Sequence, residues 1–187
     1  VVVWDANSGH PVRTLEGYIN GTTAAARYSS DGRWIGVAFN STVKFGRYEY
    51  IGEIAIFDAE SGRRTLTLKQ EEGEVSCLGF SPDGKMLVSG GKNGEILLWE
   101  RAGESIQLKI PGHMGSVRIC DFLQNGKFIV TAGEDRWLRI WDLEGTLINC
   151  APFPQDILTA DVHPTQLSIV IGDSVGYVHL FELIGLN

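Results

Sequence analysis

Within Gly112–Asp142 stand His113, Ser116, Asp121, Thr131 and Asp135, residue types that could make an acyl-transfer set. In that reading His113 is a general base for Ser116, oriented by Asp121 or Asp135. The local sequence offers Ser116 neither a strained nucleophile elbow nor an oxyanion site, and three residues on a turn constrain side-chain geometry loosely. A second chemistry is phosphate binding by the glycine-rich run Ser89–Glu95 with Lys92. It lacks the Gly-Lys-Ser/Thr ending of a phosphate loop, and no helix follows to lend its amides. Asp121, Asp161 and His163 are possible metal ligands, but they lack a closing fourth donor and read better as polar residues near a channel or turn. No catalytic residue, metal or cofactor is assigned.

What positions these residues is an internal repeat. An aromatic residue followed by an acid closes a strand-like run five times, at Trp4-Asp5, Phe57-Asp58, Trp99-Glu100, Trp141-Asp142 and Phe181-Glu182. About 20 residues before each of the last four pairs lies a turn: Ser29–Gly32, Ser81–Gly84, Leu123–Gly126 and His163–Gln166. Asp-Gly and Asn-Gly are tight-turn pairs because glycine accepts positive φ without steric cost. Between these landmarks run short alternating or apolar segments such as Glu74–Phe80, Lys85–Gly91 and Gly94–Glu100, with no helical periodicity.

The repeat resembles the WD-repeat family of β-propellers over essentially the whole chain, most closely in the two units ending at Trp99 and Trp141. The resemblance implies an all-β propeller of four-stranded antiparallel blades, with the aromatic-acid pair ending each third strand. Blades are expected over about 1–16 (partial), 17–69, 70–110, 111–150 and 151–187 (partial). Seven blades need roughly 300 residues, so the expectation is part of a seven-bladed ring in a larger protein. Raw sheet edges would then be covered by further blades or a partner chain. The resemblance also implies that His113, Thr131, Asp135 and Trp141 form one hydrogen-bonded structural network and not a catalytic set. The corresponding positions are Glu72, Ser89, Asn93 and Trp99 in the third unit. They are Tyr18, Ala38 and Phe57 in the second, and Ile171, Val175 and Phe181 in the fifth.

The interval from Phe57 back to Trp4 is the long one, and its surplus falls at Ser41–Gly52. An expected loop there carries Lys44, Phe45, Arg47, Tyr48 and Tyr50, and aromatic and arginine side chains are the usual anchors of protein interfaces. The competing reading is a prolonged hairpin. The turn residues Lys92, Glu134 and Arg136 join it as partner-binding candidates on the face that the resemblance implies. Secondary candidates there are Tyr18, Asn20, Glu72, Glu74, Met114 and Ser116.

Composition narrows the function. The net charge is −7, with 23 Asp and Glu against 16 Lys and Arg, so nucleic acid is a poor partner. Three cysteines without metal-ligand spacing fit a reduced, cytoplasmic setting, with the nucleus also open to it. No apolar run reaches the ~18 residues of a membrane span. The expectation is a non-catalytic scaffold that presents loops to other proteins on a rigid face. The alternatives are a regulatory arm of a larger signalling ATPase and a nucleic-acid-associated module.

Overall fold

The structure, a computed structural model, describes residues 1–15, 21–44, 48–70, 73–123, 126–163 and 166–184. Its strands are β1 (Val2–Trp4), β2 (Pro11–Thr14), β3 (Gly21–Tyr28), β4 (Trp34–Lys44), β5 (Tyr48–Asp58), β6 (Arg64–Gln70), β7 (Val75–Phe80), β8 (Met86–Gly91) and β9 (Glu95–Glu100). They continue with β10 (Ser105–Pro111), β11 (Val117–Leu123), β12 (Phe128–Gly133), β13 (Trp137–Asp142), β14 (Leu147–Pro152), β15 (Ile157–Val162), β16 (Ser168–Asp173) and β17 (Val178–Glu182). Each strand pairs antiparallel with its sequence neighbour inside one of five sheets: β1–β2, β3–β6, β7–β10, β11–β14 and β15–β17. This all-β arrangement of consecutive meanders is that of propeller blades.

The Ser-x-Asp-Gly turns have a local cause. Ser29 Oγ donates to Asp31 Oδ1 at 2.6 Å and accepts the Trp34 N–H at 3.0 Å, while Asp31 Oδ1 accepts the Arg33 N–H at 3.0 Å. Ser81, Asp83, Lys85 and Met86 repeat the pattern at 2.7, 3.0 and 2.9 Å. Gly32 and Gly84 supply the left-handed residue, at φ of 70° and 68°.

Successive sheets pack face to face, with one apolar cluster in each seam. Leu15, Val37, Phe39 and Phe57 fill the first. Ile54, Leu78, Phe80 and Trp99 lie in the second, and Val88, Ile96, Val117, Phe122 and Trp141 in the third. Leu138, Ile140, Phe153 and Ile169 fill the fourth. Strands β8 and β12 are buried along their whole length after the first residue, as strands covered on both faces must be.

Polar side chains cross the seams as well. Asn40 on β4 donates through Nδ2 to the Val75 carbonyl at 2.7 Å and accepts the Val75 N–H through Oδ1 at 2.9 Å, acting as a peptide group between two sheets. Asn40 is 5% exposed, so the Asn-Ser-Thr acceptor sequence at 40–42 is closed to glycosylation in the folded chain. Arg101 reaches back over the Trp34 ring at 4.5 Å and donates to the Gly84 carbonyl at 2.8 Å. Replacing Asn40 with Ala strands both backbone groups of Val75. An expected loss of about 2–4 kcal/mol is measurable by urea unfolding.

Candidate interaction face and its supporting network

The network is assembled by register. Thr131 on β12 stands opposite Arg139 on β13, and Trp141 lies two residues further along the same strand, hence on the same face. Trp141 Nε1 donates to Thr131 Oγ1 at 2.9 Å. Thr131 Oγ1 lies 2.8 Å from His113 Nε2, and His113 Nδ1 lies 2.8 Å from Asp135 Oδ1. One assignment satisfies the chain from Trp141 to Asp135: the threonine hydroxyl accepts from the indole and donates to Nε2, and the neutral imidazole donates from Nδ1 to the carboxylate. Asp135 also accepts the N–H groups of Met114 at 3.1 Å and Trp137 at 3.2 Å, which fixes the loop opening the unit to the turn between β12 and β13.

Burial lowers the pKa of His113, against the opposing pull of Asp135, and keeps the ring neutral. Burial pushes the Asp135 carboxyl up, but the hydrogen bonds from His113, the Met114 N–H and Arg139 outweigh it and hold it at about 2. Arg139 is the member that the sequence reading missed. Its Nη1 donates to Asp135 Oδ2 at 2.8 Å and sits 2.5 Å from His113 Nδ1. The strand alternation Trp137, Arg139, Trp141 was the available signal.

The other sheets hold reduced versions. In the third, Trp99 Nε1 donates to Ser89 Oγ at 2.9 Å, and Asn93 caps its own turn by accepting the Glu95 N–H at 3.2 Å. In the second, Ala38 and Phe57 are fully buried and apolar, so these two positions bring no polar side-chain atom that needs a partner. In the fifth, Ile171 is fully buried and Val175 is exposed. There Asp173 replaces the missing polar link: its Oδ2 lies 2.9 Å from His179 Nε2, and its Oδ1 accepts the N–H groups of Val175 and Tyr177 at 3.0 and 2.9 Å. An acid and a histidine facing each other across a short hairpin turn was its sequence signal.

The candidate partner residues divide into two groups. Lys92, Glu134 and Arg136 are in ion pairs: Lys92 with Glu74 at 2.5 Å, Glu134 with Arg118 at 2.7 Å and Arg136 with Asp156 at 2.7 Å. Ser116 donates its N–H to Glu134 at 3.2 Å, and Met114 beside it is 85% exposed. At 41–52 the chain follows the prolonged-hairpin reading: the β4–β5 ladder continues, its register running through Ser41↔Ile51 and Thr42↔Tyr50 to Lys44↔Tyr48. The physical reason is composition, since Thr42, Val43, Tyr48 and Tyr50 are strand-favouring residues. Phe45 and Arg47 lie outside the described residues, as do Tyr18, Asn20 and Glu72.

Asp121 and Asp161 occupy equivalent positions on β11 and β15 and line a cavity of about 230 Å³ with Arg27, Ser76 and Arg118. Asp121 leans over Gly79, where a Cβ would meet its Oδ1 at 2.8 Å. Burial raises its pKa to about 6. His163 accepts the Gln166 N–H at 3.0 Å in its own turn, and no metal-holding cluster exists among the described residues.

Two outcomes are expected. His113→Ala lowers stability near neutral pH by about 2–4 kcal/mol, read from denaturant midpoints. The wild type weakens as pH falls below 6.5, because the unfolded chain takes a proton that buried His113 resists. The variant lacks that step. Asp121→Asn has the opposite sign: the carboxylate costs stability as pH rises from 3.8 past about 6. At pH 8 the variant therefore gains about 1–3 kcal/mol, and the gain fades at pH 4.5 in parallel urea titrations.

Residues 62–100 and 104–142 match the family model described as WD domain, G-beta repeat. The first span runs from β6 through β9 and the second from β10 through β13, so each begins on the last strand of one sheet and ends on the third strand of the next. A 34-residue stretch is 56% identical to proteins described as Probable cytosolic iron-sulfur protein assembly protein 1, from two strains of Cryptococcus neoformans var. neoformans serotype D, JEC21 / ATCC MYA-565 and B-3501A. That stretch covers 18% of this chain and 8% of each relative, so the match spans a small part of the proteins concerned. The chain therefore contains two WD repeats, set in a run of five antiparallel sheets of one plan that is consistent with propeller blades.

Proposed function

We propose that the chain is a non-catalytic protein-interaction platform of an intracellular protein, and that its partner is gripped at the prolonged β4–β5 hairpin. The observation that carries this reading is the hairpin itself. Both strands are 11 residues long, against 6 for β8 and β9, the equivalent pair in the third sheet. Among the described residues, β3 pairs with β4 as far as Ser41 and β6 with β5 as far as Gly52, and beyond them Ile51 bridges to Gly73. Lys44, Tyr48 and Tyr50 stand on this extension, and Phe45 and Arg47 fall between its strands in sequence. Sheets covered on both faces keep such a projection in a fixed place, which limits the ordering cost of binding.

Protein is favoured over nucleic acid because Lys92, Arg118 and Arg136 are each paired with an acid of the same chain. Trp4, Val178 and Leu180, at 60%, 74% and 70% exposure, support a cover of further blades or a partner over the outer sheets. From the iron-sulfur assembly relatives the proposal takes the blade and not their role, because the match is one repeat long.

The test is affinity capture with wild type, the triple variant Phe45→Ala, Arg47→Ala, Tyr48→Ala, and His113→Ala. The expected result is a protein partner kept by wild type and His113→Ala and lost by the triple variant, whose melting temperature stays within about 2 °C of wild type. Normal binding by the triple variant refutes the hairpin assignment. Binding that collapses between 50 and 200 mM salt and tracks nucleic acid favours the other class.

A further inference from the structure

The seam between the third and fourth sheets brings together two nucleophilic side chains that neither the network nor the interaction face uses. Cys77 on β7 and Cys120 on β11 are both free thiols, and their Sγ atoms lie 2.9 Å apart. Each sulfur reaches toward the other sheet's backbone, Cys77 to the Val117 carbonyl at 3.8 Å and Cys120 to the Val88 carbonyl at 3.7 Å. Gly90 makes room for this approach, because a Cβ there would meet Cys77 Sγ at 2.6 Å. Both cysteines also line the cavity of about 230 Å³ that holds Arg27, Ser76 and Asp121, so a small polar reagent has a route to them.

We propose that Cys77 and Cys120 are an oxidation-responsive pair, converted by a small-molecule disulfide such as oxidised glutathione into a cystine that staples the third sheet to the fourth. Cys77 is the entry point, being 8% exposed against 3% for Cys120. Burial first, then contact with Cys77, pushes the Cys120 thiol well above its ordinary range, which disfavours it as the thiolate that opens the reaction. Cys77, losing its proton, attacks one sulfur of oxidised glutathione. The S–S bond of the reagent breaks and one glutathione leaves as its thiol. Cys120 then attacks Cys77 Sγ, the mixed disulfide breaks, and the second glutathione leaves carrying the Cys120 proton. Two protein thiols are oxidised and one glutathione disulfide is reduced to two thiols.

The link joins positions 43 residues apart, so it constrains the unfolded chain strongly. A melting temperature raised by roughly 5–10 °C is expected.

The experiment uses the full chain with Cys150→Ser, which removes the exposed thiol, incubated natively with oxidised glutathione. The expected product has lost both titratable thiols and two hydrogens of mass, gives a 77–120 cross-linked peptide, melts higher, and reverts with dithiothreitol. Cys120→Ala in the same background should stop at one glutathione on Cys77. Two thiols that still titrate after exposure, a link that forms only in denaturant, or glutathione retained on both cysteines would each overturn the proposal.

Discussion

Burial of short strands on both faces is the constraint from which the rest of this molecule follows. A sheet of three or four strands is too small to form a core alone, so each one here uses its neighbours as the other half of a seam. In the third sheet β8 and β9 are buried almost continuously, and in the fourth β12 is, whereas β17 in the fifth sheet alternates between exposed and partly buried positions. Once both faces are occupied, any polar atom inside must find its partner within a few ångströms. Among the described residues four solutions are present: a full chain of partners from Trp141 to Asp135, a two-member remnant at Trp99 and Ser89, apolar replacement at Ala38 and Phe57, and the Asp173–His179 pair in the fifth sheet.

These solutions differ in what they bind together. The indole-to-hydroxyl bond lies within one sheet and joins its second and third strands. The histidine extends the same chain to the loop that opens the unit, and Asp135 closes it on the turn. Its chemistry is that of a strut: a neutral imidazole held between an acceptor and a donor, with the cation of Arg139 balancing the carboxylate. Asp121 shows what happens without such a balance. Among the described residues it accepts its neighbour's N–H at 2.8 Å, and burial outweighs that bond and the pull of Arg27, so its pKa rises where that of Asp135 falls.

The fold was legible because its determinants are local and recur. The Asp-Gly turns, the aromatic-acid strand ends and the roughly 42-residue spacing each have a stereochemical cause that survives without a neighbour in view. The members of the His113 set were legible through family resemblance; the alternation Trp137, Arg139, Trp141 puts Arg139 on the same face, but a charged residue inside a strand reads as solvent-facing until the facing turn is known. Cys77 and Cys120 come from different units at positions offset by one residue, so no spacing rule brings them together. The length of the stretch at 41–52, compared with the turns of other units, marks a surplus but does not choose between a loop and a prolonged hairpin. Its β-branched and aromatic content carried the strand information instead.

The matched sequence units and the sheets are out of phase by one strand, since 62–100 begins on β6 in the second sheet and ends on β9 in the third. Loosening one sequence unit therefore strips the outer strand from the sheet before it and leaves β10 without the rest of its own sheet. The element that can open without tearing a ladder is the sheet and not the matched repeat. Cooperativity thus passes along the backbone itself, as well as through the apolar seams.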